Sequence, residues 1–166
     1  GVVADRIAQA DPLLPRLRVF QELYDVTQPP PCPGCQPFSN DRLIKLAAAM
    51  STEAAVSSRQ ELYPRNMEAL RALRLGIGAL SGLGLGEKNE GFTISQVHNR
   101  VSSRYPAAMP LPTDPRELEL MLQKVGIDVR WEADAAVYRR RDARILATSG
   151  SSIGSRRDTA TSTRHV

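Results

Sequence analysis

Between Phe92 and Arg139 the apolar residues recur first with a helical period and then with a strand period. Ile94, Val97, Val101 and Tyr105 are spaced three or four apart, and so are Leu118, Met121, Leu122 and Val125, which places each set on one face of a helix. After Gly126 the spacing falls to two, through Ile127, Val129 and Trp131 and again through Val137 and Arg139. Polar punctuation agrees with this division. Thr93 and Gln96 form a capping box that predicts the start of the first helix. Asp114-Pro115 with Glu117 supplies cap, first-turn proline and box partner for the second. Pro106 to Pro112 reads as an extended connector anchored by Met109 and Leu111, and Gly126 as a left-handed helix end. The bend from Glu132 to Ala136 would join two short strands.

Upstream, Met67, Leu70, Leu73, Ile77 and Leu80 predict a further helix, with Tyr63-Pro64-Arg65-Asn66 breaking the chain before it. The resulting order is helix, helix, helix, strand, strand. The predicted fold class is mainly α: a helical N-terminal part over residues 1–63, a winged-helix-like unit with a two-stranded wing over 64–142, and a disordered tail over 143–166. In the N-terminal part, Asp11-Pro12 opens a helix carrying Leu13, Leu17, Phe20 and Tyr24 to about Val26, its start delayed by Pro15. Residues 28–37 hold five prolines and read as a loop or semi-rigid spacer. Asn40 would cap a helix bearing Leu43, Ile44, Leu46, Ala47 and Met50. From Leu46 to Arg59 two readings stand: a helix-turn-helix with Ser57-Ser58-Arg59 at the phosphate-contacting position, or an Ala-rich helix pair packed in a core.

Composition narrows the classes. Of 166 residues, 42% are apolar, 24% charged and only 5% aromatic, so aliphatic side chains must carry the core. The net charge is +4, and almost all the cations are Arg, which suits phosphate and carboxylate recognition but also follows from a GC-rich genome. No apolar run reaches the roughly 20 residues that span a bilayer, and no signal peptide opens the chain. The chain starts on Gly1 rather than Met, so a piece of a longer protein is expected. Cys32-x-x-Cys35 has the spacing of half a zinc site, but the remaining candidates, His98 and His165, form no second paired knuckle. No metal or other cofactor is expected. Gly76, Gly78, Gly82, Gly84 and Gly86 resemble a phosphate loop only superficially, because they lie within and after a helix. The tail mixes Ser and Thr with Arg156, Arg157 and Arg164; it cannot bury enough surface to order itself, and its hydroxyls suit a basophilic kinase.

No catalytic constellation competes with a binding role. If nucleic acid is the ligand, the candidate contacts are Arg100 and Arg104 on the first helix of the pair, Arg116 and Lys124 on the second, and Arg139, Arg140 and Arg141 past the wing, with Arg144 beyond them. The second helix, with Arg116, Glu119, Gln123 and Lys124 taken as exposed and Glu117 beside them, is nearly neutral, a poor footprint for a phosphate-rich groove.

The run from Ser57 to Met67, Ala72-Leu73-Arg74-Leu75, Gly78-Ala79-Leu80, Arg100 to Pro106, Pro110-Leu111-Pro112 and Gly126 to Trp131 resemble a non-kinase region of bacterial phage-defence serine/threonine kinases of the phage-growth-limitation or BREX type. The resemblance spans roughly residues 11–131. Where that family places Gly after Arg65, this chain has Asn66, which also tolerates turns. The resemblance implies a cytoplasmic regulatory or recruiting region outside a catalytic domain. The kinase's own parts are absent from this sequence: no Gly-rich loop on a strand, no His-Arg-Asp and no Asp-Phe-Gly. The expected partner is a protein surface or the parent kinase domain, with DNA as the alternative; neither a membrane nor a small-molecule substrate is expected.

Overall fold

The computed structural model describes residues 1–27, 33–34, 38–77 and 91–141. Among these residues six helices and two antiparallel two-stranded sheets follow one another as α1 (Val2–Ala8), α2 (Arg16–Thr27), α3 (Asn40–Ala49), β1 (Ala54–Val56), β2 (Leu62–Pro64), α4 (Ala69–Ile77), α5 (Ile94–Arg104), α6 (Pro115–Lys124), β3 (Val129–Glu132) and β4 (Val137–Arg140). The chain is mainly α with a small two-stranded wing, as its periodicity predicts. Both cysteines, Gly78 to Gly86, Leu80, Arg144 and the tail lie outside the described residues.

The C-terminal elements match the punctuation closely. Thr93 accepts from the Gln96 N–H at 3.2 Å, and Gln96 Oε1 accepts from the Thr93 N–H at 2.7 Å, so both halves of the box are made. Asp114 accepts from the N–H groups of Arg116 and Glu117, each at 2.9 Å, with Pro115 in the first turn. Gly126 ends α6 at φ +86°, where a side chain would be strained. Val129 and Trp131 pair with Arg140 and Tyr138, and the turn between the strands closes through Ala136 at φ +51°. Phe92 adds an isolated antiparallel bridge to Tyr138, giving the wing a stub of a third strand just before α5.

Four expectations need correction. Along β4 the buried side chain is Tyr138, packed against Phe92 and Trp131, and not Val137 or Arg139, which are half-buried and exposed. Helix α2 begins at Arg16, and it buries Val19 and Leu23 while Leu17 and Tyr24 stay exposed. The α3 cap is Ser39, which accepts from Arg42 N–H, one residue before Asn40. No second helix follows α3. Residues 54–64 form the β1–β2 hairpin, with Ser57, Ser58 and Arg59 in its turn, so neither reading of residues 46–59 holds. Tyr63 and Pro64 are likewise strand, and α4 opens only at Ala69. Asn66, in the turn between them, sits at φ +58°.

Two hydrophobic clusters share that hairpin. Alternation along a strand sends successive side chains to opposite faces. Ala54 and Leu62 enter a cluster with Ala4, Ile7, Val19, Leu23 and Ile44, all buried. Ala55 and Tyr63, paired in register, enter the other with Leu73, Val97, Val101, Leu118, Leu122 and Tyr138. Each fully buried Leu or Val contributes about 1.5–3 kcal/mol relative to exposure. Polar ties join the halves as well. Arg71 donates to the Ala10 carbonyl at 2.7 Å, Arg74 makes a double contact with Asp11 at 3.2–3.3 Å, and Leu13 packs into the C-terminal cluster. Asp5 at α1 accepts from the Ser51 hydroxyl and from Glu53 N–H, which draws its carboxyl below the usual carboxylate range, the serine contributing most.

Candidate functional site

The seven candidate cations sort into engaged and unengaged groups. Arg104, at the end of α5, is drawn inward. One terminal nitrogen donates to the Leu75 carbonyl at 2.6 Å, and the other spans both oxygens of Glu61 at 3.1 and 3.2 Å. The two side chains are only 17% and 15% exposed. Glu61 lies in the β1–β2 hairpin and also accepts from Ser57 Oγ at 3.0 Å. The guanidinium lies 5.1 Å from the centre of the Tyr105 ring. Burial first, and the Glu61 charge second, push the Tyr105 hydroxyl up to about 12. Arg104 is therefore a clamp between α5 and the hairpin, and a phosphate could reach it only by breaking that clamp.

Past the wing the cations are largely committed. Arg139 Nε lies 3.0 Å from Glu132, its companion on the adjoining strand, and Arg141 reaches Glu119 at 3.4 Å and Asp128 at 3.6 Å. Glu119 was expected on the exposed face of α6 but is buried. Its oxygens accept from Trp131 N–H at 3.0 Å and from the Gln123 amide at 3.1 Å, so it fastens the wing to α6. Arg116 approaches it at 4.0 Å but remains largely exposed. The wing is fixed a second time where the Tyr138 hydroxyl donates to the Pro115 carbonyl at 2.8 Å. Burial chiefly, with Glu119 and Asp114 adding, raises that hydroxyl well above the usual tyrosine range.

Three of the candidates, Arg100, Lys124 and Arg140, are exposed and make no ion pair among the described residues. Arg130 joins them. It faces Arg139 across the ladder, a like-charge pair that the alternation of β3 sets on the outer face of the wing. On α6 the exposed row is Arg116, Leu120 and Lys124, one turn apart, with Leu120 59% exposed.

Other polar side chains are occupied structurally. His98 Nε2 contacts the Pro112 carbonyl at 3.0 Å, tying α5 to the connector. Ser57, only 3% exposed, accepts from the backbone N–H groups of Arg59 and Glu61. Among the described residues no three His, Cys, Asp or Glu side chains gather in a metal-binding group. No helix among them is long and apolar enough to cross a membrane. What this surface offers is a firmly held wing and helix with separated cations and one apolar side chain.

No family model matches the chain, and no solved structure matches it. Over 110 residues, 64% of its length, the chain is 39% identical to the probable kinase PglW of Streptomyces coelicolor. That stretch is 7% of PglW, so the chain spans a small part of the curated relative it matches. The similarity supports a fragment of a PglW-like protein.

Proposed function

We propose that this chain is a non-catalytic regulatory or binding module of a larger bacterial phage-defence serine/threonine kinase, acting in the cytoplasm by docking a protein surface, with its own kinase domain the first candidate. The observation that carries the reading is the 39% identity to a short segment of a probable kinase, in a sequence that contains no His-Arg-Asp or Asp-Phe-Gly. The element order from α4 to β4, with the Phe92 stub on β4, supports a winged-helix unit as the docking body. Leu120 at the middle of the exposed α6 row favours a protein over a phosphate backbone as its ligand.

Phosphoryl transfer by the longer protein, assayed intact and with residues 64–142 removed, tests this reading. Transfer should persist after removal while its rate or dependence on partner proteins changes. Transfer or ATP hydrolysis by the 166-residue chain alone would overturn it. Duplex DNA is the second reading, favoured by the unpaired exposure of Arg100, Lys124, Arg130 and Arg140. Titration of labelled duplex at two salt concentrations decides it: micromolar affinity with a steep salt slope supports DNA, and flat anisotropy removes it.

A further inference from the structure

Helix α2 carries more apolar surface than the other described residues cover. Val19 and Leu23 face the N-terminal cluster and are buried. About 100° further round the helix lies a second apolar row, Leu17, Phe20 and Tyr24, spaced three and four apart. Leu17 is 68% exposed and Tyr24 46%, while Phe20 is half-buried and stacks on Tyr24 with ring centres 5.6 Å apart. Across the described residues, seven of the nine exposed large apolar side chains lie between Val2 and Met50, so this half holds most of the unpartnered apolar surface.

We infer that this row is a self-association surface, with α2 packing antiparallel against α2 of a second copy of the chain. The pattern is self-complementary. A two-fold axis between Phe20 and Gln21 sets Leu17 opposite Tyr24 of the other copy, twice over, with the two Phe20 rings at the centre. Charge selects the same arrangement. Arg18 and Asp25 lie on one flank of the row near opposite ends of the helix, and both are exposed. Antiparallel apposition keeps the same flank of both copies on one side and brings each Arg18 near Asp25 of the second copy, whereas parallel apposition would send the two charged flanks to opposite sides of the interface and leave Arg18 and Asp25 without each other. Arg18 makes an exposed 3.3 Å hydrogen bond to Gln21 and a 3.8 Å ion pair with Glu22, contacts within its own helix that a partner carboxylate can replace, and Asp25 makes no ion pair among the described residues. This inference rests on α2 alone and is independent of the docking role assigned to residues 64–142.

Sedimentation velocity on the full 166-residue chain, from about 10 to about 500 µM, is the test, because a face this narrow gives a weak dimer. The wild-type chain should shift from monomer to dimer across that range. Arg18→Asp and Asp25→Arg each place like charges together and should weaken dimerisation about tenfold. An equimolar mixture of the two variants restores both opposite-charge contacts and should recover wild-type association. Leu17→Glu should abolish it, with unchanged circular dichroism because the position is exposed. A chain that stays monomeric throughout overturns the inference, as do variants that dimerise like wild type or a mixture that fails to recover.

Discussion

A buried carboxylate and a buried phenol show how single side chains fix this molecule. Glu119 holds Trp131 N–H, Gln123 and Arg141 at once, so Glu119→Ala leaves the Trp131 N–H unpaired behind α6 and the Gln123 amide with only the Val129 carbonyl. A loss of about 2–3 kcal/mol in urea unfolding is expected, with Glu119→Gln losing less. Tyr105 makes a pH-dependent prediction. Its folded-state value of about 12 lies above the ordinary 10, so its contribution is complete below pH 10 and disappears as pH rises towards 12. Thermal midpoints measured from pH 9 to about 12 should fall across that window, and Tyr105→Phe should flatten part of the fall. The helical spacing places Tyr105 inward, where it is buried, but it does not announce Glu119. Glu119 looks like one more charge on an exposed helix face, and only the return of β3 over α6 turns it inward. Arg104 misleads in the same way, because its Glu61 partner lies 43 residues away.

At the scale of elements, caps were the most legible feature. Thr93 and Asp114 each satisfy N–H groups that their helices leave open, and replacing either with Ala should cost about 1 kcal/mol in chemical denaturation. Gly126→Ala should cost a similar amount, since its φ of +86° admits no side chain without strain. These signals work because cap, box partner and terminating glycine are adjacent in sequence. Strands β1 and β2 were illegible for the complementary reason. Ala54-Ala55-Val56 carries two good helix formers, and three residues are too few to display a period, so local propensity pointed to helix and tertiary pairing prevailed. Helix α2 was recognised with the wrong face inward, because it has two apolar rows and the sequence does not rank them.

For the whole molecule, the consequential contacts are those between the two clusters. The Arg104–Glu61 clamp, the Arg71 and Arg74 contacts with residues 10 and 11, and Leu13 are long-range and leave no local signature. Glu61→Ala strands the Arg104 guanidinium in a half-buried position. It should lower stability by about 2–4 kcal/mol and split calorimetric unfolding into two overlapping transitions, one per cluster. A single transition at the wild-type midpoint would show that the apolar contacts alone couple the halves. The shared hairpin has a further implication. Leu62 and Tyr63 are neighbours that serve different interiors, so one residue inserted into or lost from strand β2 would exchange their destinations, sending the phenol ring into the N-terminal helices and the smaller aliphatic group towards Val101 and Leu118. Both halves would lose their fit at a stroke, which makes the length of this short ribbon the least negotiable dimension of the protein.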